Sequence, residues 1–202
     1  MAFTFFFRDQ IPLELAAKNL CQKAIGRSII RIWDAGCAMG PEPYTLAMIL
    51  AENMGHFAFS NLRIFASDYD QPLLKTMEKG VYVWSELQRV PQDIFQKYFE
   101  PTGEDGRFRV KEIIRSSISV YHHDLLSLKP LRDDFSLIVC KNVLLHFQPQ
   151  ERLGVYRMFH QALEPGGFLL NEHTQKLPPE MTHMFAPVAN AGQLFKKIEQ
   201  GG

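Results

Sequence analysis

Residues 31–50 read RIWDAGCAMGPEPYTLAMIL. A short apolar run reaches an acid at Asp34, Gly36 and Gly40 follow, and Pro41 and Pro43 flank a helix start. The run extends back to Ser28 as a buried strand (SIIRIW, 28–33), and Glu42 to Met54 continues forward as a helix ending near Gly55. A strand, a glycine turn and a helix in that order open a parallel α/β sheet.

The alternation continues on both sides. Ile11 to Gly26 has helical spacing of Leu13, Leu15, Ala16, Leu20 and Ala24. Leu62 to Ala66 is a second strand, ending at Ser67-Asp68; Pro72 to Lys79 is a helix closed by Gly80, and Pro91 to Phe99 is another. Gly103 and Gly106 then mark a turn, with alternating Phe108, Val110, Ile118 and Val120 beyond it. We expect a small antiparallel β subdomain at about 107–120, leading into a main-sheet strand at Ile118 to Tyr121. Phe135 to Cys140 is a further strand, Pro149 to Leu163 a helix, Glu164 to Gly167 a turn and Phe168 to Asn171 a strand. Leu194 to Ile198 is expected as the last strand, at an edge. The chain of 202 residues thus reads as one α/β domain, its mainly parallel sheet covered on both faces.

Bulk properties narrow the function. The formal net charge is +0 with no long basic run, which argues against nonspecific nucleic-acid binding. No apolar stretch approaches the roughly 20 residues that cross a bilayer, and the opening MAFTFFF lacks the basic region and cleavage site of a signal peptide. Cys21, Cys37 and Cys140 form no CxxC pair. That suits a reducing cytoplasm, with no disulfide framework and no structural zinc.

In such sheets a ligand lies beyond the carboxyl ends of the strands. Gly36 and Gly40 let backbone approach a ligand closely, Asp34 can accept from an ammonium group, and Asp68 can bind both hydroxyls of a ribose. The glycines are spaced GxxxG, with Cys37 where a dinucleotide fingerprint has its second glycine, and there is no GK[ST] phosphate loop. A ligand carrying an amino acid and a nucleoside without phosphate fits better, S-adenosylmethionine foremost. The alternative is a tight turn that binds nothing.

Five ordered motifs resemble the chemotaxis receptor methyltransferase (CheR) family: FFFRD (5–9), WDAGCAMGPEPYT (33–45), ASDYD (66–70), CKNVLLHF (140–147) and EPGG (164–167). GVYVWSEL (80–87) and QKYF (96–99) are similar to further family segments, and the run extends from Thr4 to about His173. The resemblance implies a Rossmann-like class I methyltransferase sheet with a small antiparallel insertion, S-adenosylmethionine as methyl donor and S-adenosylhomocysteine as product. It implies methyl ester formation on glutamates of chemoreceptor cytoplasmic helices. It also implies a helical domain upstream; lacking one, this chain reads as an excised catalytic domain, with Met1 and Ala2 as cloning remnants.

The resemblance assigns roles residue by residue. Arg8 holds a carboxylate, either the acceptor's or the methionine moiety's; Thr4 contacts the cofactor, and Phe5 to Phe7 cover it, two of those rings serving as core. Cys37 and Ala38 belong to the glycine loop, Tyr69 stands beside Asp68, and Asp124 and Leu125 meet the adenine. Asn142 lies at the cofactor's sulfur end.

Three positions depart from the family pattern. Pro41 stands where the family has a glutamate, with Asp34 as the compensating charge. Lys141 replaces an arginine, keeping the charge without the planar fork. His146 replaces a tyrosine near the reaction centre and is the second catalytic candidate. These changes motivate a rival reading, a domain that binds the cofactor and signals without turnover. A nicotinamide-dependent oxidoreductase is disfavoured by the glycine spacing. His122-His123 lacks the ligands to complete a metal site. Arg107, Arg109, Lys111 and Arg115 make the insertion basic, either a solvated edge or a dock for an acidic receptor segment or tether peptide.

Overall fold

The computed structural model describes residues 4–172, 176–188 and 193–199. The expectations about Ala2 and His173 lie outside them. Helix α1 (Gln10–Ala24) leads into β1 (Ile30–Ala35), α2 (Pro41–Phe59), β2 (Leu62–Asp68) and α3 (Gln71–Lys79). Asp70 caps α3, and Gly80 closes it in the left-handed conformation. Next come β3 (Val81–Val83), α4 (Trp84–Leu87), α5 (Gln92–Tyr98), β4 (Phe99–Pro101), β5 (Arg107–Val110), α6 (Glu112–Arg115) and β6 (Ile118–His122). The chain continues through β7 (Phe135–Cys140), α7 (Pro149–Ala162), β8 (Leu163–Asn171), β9 (Phe185–Pro187) and β10 (Leu194–Lys197).

The main sheet has the order β6-β2-β1-β7-β8-β10-β9. Its first five strands are parallel, and β10 runs antiparallel to both neighbours. Strand β1 lies inside the sheet, and its side chains split between two cores, as alternation requires. Ile30 and Ile32 join the core that holds α1 and α2, while Trp33 and Ala35 join the core that holds α7. The sheet is therefore Rossmann-like, with helices on both faces. The chain order reverses between β1 and β7, which creates a crevice at the carboxyl edge.

Three boundaries differ from expectation. The small antiparallel sheet has the order β3-β5-β4, so it draws on residues 81–110. Within the expected span of about 107–120, residues 112–115 are helical and Ile118–His122 pairs in parallel with β2. The turn at Gly103 and Gly106 folds β5 back on β4, and Phe108 packs against Trp84 and Phe95 instead of facing Ile118. Second, β10 lies between β8 and β9. The edge belongs to β9, where Pro187 is tolerated because an edge strand leaves N–H positions unpaired. Third, β8 begins at Leu163, so the EPGG segment lies within an irregular pairing with β7.

Gly40 shows how tightly the strand-to-helix turn is packed. Its φ is +103°, and a Cβ there would lie 2.7 Å from Met77 Cγ and 2.8 Å from the Tyr82 hydroxyl. Gly40→Ala combines left-handed strain with overpacking and is expected to lower stability by about 2–5 kcal/mol. Urea unfolding checks this; a loss under about 1 kcal/mol contradicts it.

Candidate cofactor site

The loop after β1 is wound onto the end of β2. The amides of Gly36 and Cys37 both donate to the Ser67 carbonyl, at 2.8 and 3.0 Å. The Ala38 amide donates to Asp68 Oδ2 and the Asp70 amide to Asp68 Oδ1, each at 2.9 Å. The glycines serve protein contacts here. A Cβ on Gly36 would meet Val143 Cγ2 at 2.2 Å, so Gly36 lets the loop after β7 close against the loop after β1. Gly40 packs on Met77, Tyr44 and Tyr82.

These loops enclose a cavity of about 360 Å³. Of the residues singled out in the sequence, Gly36, Asp68, Tyr69, Asp124 and Leu125 line it. Ser67, His123, Leu126, Val143 and Phe147 line it too and were not singled out for this role. His123 had been weighed only as a metal ligand, and the apolar residues follow candidate positions so closely that loop curvature alone decides their placement. Among the described residues no group of three or more His, Cys, Asp or Glu is arranged to hold a metal ion.

A second group of predicted residues gathers around Lys141. Its ammonium lies 3.1 Å from Glu42 Oε2 and 3.3 Å from Asp9 Oδ2, and its side chain is 1% exposed. Asp34 on β1 is fully buried, and neither carboxyl oxygen has a hydrogen-bond partner among the described residues. Burial pushes its carboxyl well above the ordinary range; Glu42 adds to the rise and Lys141 opposes it. Glu42 is also raised by burial, with Lys141 opposing. Glu42 had no assigned role, although its carboxylate at the start of α2 is the group that meets Lys141.

The segment before α1 reaches the same place. Phe6 is buried edge-on against Tyr82 and Phe99. The Phe7 amide donates to Thr45 Oγ1 at 3.0 Å. Phe7 and Asp9 both have positive φ, 58° and 50°, so Arg8 stands between two strained residues. Its guanidinium lies 3.8 Å from Asp9, and its charge reaches Glu42. Thr4 is half-buried at the head of this segment. Asn142 has φ 60°, and exposed His146 ends a short 3-10 turn, Leu144–His146. Burial raises the Cys37 thiol, which disfavours the nucleophilic thiolate.

The family model described as CheR methyltransferase, SAM binding domain, matches residues 2–192. This chain belongs to the CheR methyltransferase family. A chemotaxis protein methyltransferase of Borreliella burgdorferi is 30% identical over 182 residues, covering 86% of this chain and 64% of that protein. One of Vibrio parahaemolyticus is 31% identical over 198 residues, covering 96% and 71%. The Pseudomonas putida protein Cher2 is 31% identical, covering 82% of this chain and 62% of its own length. This chain therefore spans just under two thirds of some of these CheR relatives. Among solved structures, the glycopeptide N-methyltransferase MtfA with S-adenosyl-L-methionine is similar, with TM-score 0.45 and 15% identity over 77% of this chain and 51% of that one.

S-adenosylmethionine is the cofactor of this domain, and the residues present fit it. Asp34, a buried acid without a hydrogen-bond partner among the described residues, can take an ammonium group. Asp68 can take ribose hydroxyls, and Leu125, Val143 and Phe147 offer an apolar slot for a base. A raised acid retains its proton in the folded chain while the unfolded chain releases it. Asp34 therefore contributes most stability below its ordinary value of 3.8, and that contribution is lost as pH rises through its folded value. Asp34→Asn is expected to flatten this decline and gain stability relative to wild type from about pH 4 upward. The same variant is expected to bind S-adenosylhomocysteine more weakly. Thermal melts across pH and calorimetric titration check the two effects, and an unchanged affinity contradicts the second.

Proposed function

We propose that this chain is the catalytic part of an S-adenosylmethionine-dependent O-methyltransferase that forms methyl esters on glutamate side chains of chemoreceptors. The observation that carries the reading is the CheR family match across residues 2–192. When bound, S-adenosylmethionine supplies a methyl carbon made electrophilic by its sulfonium. The acceptor carboxylate is ionised near pH 7, its reference pKa being about 4.3, so no general base is required. A carboxylate oxygen forms the new C–O bond while the S–C bond breaks and its electron pair stays on sulfur.

The chain's own residues orient the reactants and exclude water. Arg8 can hold a carboxylate through a two-pronged contact. His146 can donate a hydrogen bond to an acceptor arriving from solvent. Holding reactants in line can contribute roughly 7–11 kcal/mol. The acceptor reaches the site on cytoplasmic receptor helices. The cleft beside the small sheet, bordered by Lys79, Arg107, Arg109 and Arg115 together with Glu78 and Glu104, carries an excess of basic side chains that suits an acidic receptor tether peptide. No helix among the described residues is long and apolar enough to cross a membrane.

A second reading, cofactor binding without turnover, is favoured by one observation. The Lys141 cation is already engaged by Asp9 and Glu42. Incubation with methyl-labelled S-adenosylmethionine and a glutamate-bearing receptor peptide separates the two. The enzyme reading expects label that mild alkali releases as methanol. It also expects Arg8→Ala to lower kcat/KM roughly 10–100-fold through loss of a charged hydrogen bond. Cofactor binding without alkali-labile label supports the second reading.

A further inference from the structure

Two arginines meet across one aromatic ring, and only Arg8 has a role in the reading above. Phe5 is half-buried in the segment before α1. The guanidinium carbon of Arg89 lies 4.0 Å from its ring centroid, and that of Arg8 lies 5.9 Å from it. The two distances add to 9.9 Å, the largest separation the two carbons can have. Arg8 has Asp9 beside it at 3.8 Å, and Asp9 also faces the Lys141 ammonium at 3.3 Å.

Arg89 differs. Its side chain is exposed, and among the described residues its guanidinium makes no hydrogen bond or ion pair; its contact is the Phe5 ring face. The neighbouring acid Glu86 is turned away, accepting from the Val83 amide at 3.0 Å. The turn that carries Arg89 is fixed by its flanks. Leu87 and Val90 are both buried, and the Val90 amide donates to the Leu87 carbonyl at 2.9 Å.

A guanidinium stacked on a ring has one planar face covered while its N–H edges stay open. The stack restricts the side chain before a ligand arrives, so less freedom is lost when the fork closes on a carboxylate. On a helix, residues three or four apart have Cβ atoms about 5–6 Å apart, and glutamate side chains splay further. Two carboxylates one turn apart on an acceptor helix therefore match two guanidinium groups that share one ring.

We propose that Arg89 is an acceptor-specificity residue: its guanidinium binds a second carboxylate, one helical turn from the glutamate whose carboxylate Arg8 holds. The inference rests on the reading above of Arg8 and of a helical glutamate acceptor.

Helical receptor peptides test it. Each carries one acceptor glutamate and, four residues to one side or the other, either a second glutamate or a glutamine. The full chain is incubated with each peptide and methyl-labelled S-adenosylmethionine, and peptide fragmentation locates the ester on the acceptor. Wild type is expected to show a kcat/KM roughly three- to tenfold higher for a two-glutamate peptide than for its glutamine counterpart. Arg89→Gln should bring that ratio to about one, and Arg89→Glu should push it below one, because two carboxylates then repel. A general loss of folded or cofactor-loaded chain lowers both rates together and leaves the ratio alone, so a less stable variant still reports. The wild-type ratio should also shrink as salt is raised. A wild-type ratio near one at both spacings, or a ratio that Arg89→Glu leaves unchanged, overturns the proposal. Absence of ester from every peptide removes the acceptor reading itself, and the proposal falls with it.

Discussion

The buried ammonium of Lys141 is the contact on which the cofactor edge of this domain depends. It joins Asp9 before α1 to Glu42 at the start of α2, and its own backbone leaves the end of β7. Three segments distant in sequence are thereby fixed around Asp34 on β1. A cation this deep is costly to desolvate and persists only when paired, so the surrounding acids are a condition of its burial. The group is also unbalanced. Lys141 contacts Glu42 and Asp9, Arg8 lies 3.8 Å from Asp9, and Asp34 lacks any hydrogen-bond partner among the described residues. An uncompensated buried acid is unfavourable in an empty protein and suited to a cationic ligand.

The site has two halves with different physics. Around Lys141 the chemistry is ionic and buried. Around Asp68, His123 and Asp124 it consists of apolar wall and hydrogen-bond acceptors. Gly36 lies where the halves meet, and its missing side chain lets Val143 close the gap between the loops after β1 and β7. A ligand with an ammonium group at one end and a nucleoside at the other matches both halves.

Much of the fold was legible because local signals agreed with tertiary demands. The run FSLIVC became β7 with the expected bounds, since a strand buried on both faces reads as an unbroken apolar run. Gly80 ended α3 as expected, because the left-handed cap it adopts favours glycine. The small sheet was misplaced because β3 and β4 have three residues each, too few for alternation to show. The edge was misassigned because β10 gains its outer neighbour from a strand ending in proline, which sequence patterns count against pairing.

By itself, the sequence determined the alternating architecture, the glycine turn and the acids at the ends of β1 and β2. Those features follow from periodicity and backbone sterics within short windows. Only the tertiary structure decided which partners the candidate residues meet. It placed Lys141 between Asp9 and Glu42, left Asp34 without a hydrogen-bond partner among the described residues, committed Gly40 to packing and brought His123 to the cavity wall. Pairing and burial arise between segments far apart in the chain, and no local pattern encodes the distance between them.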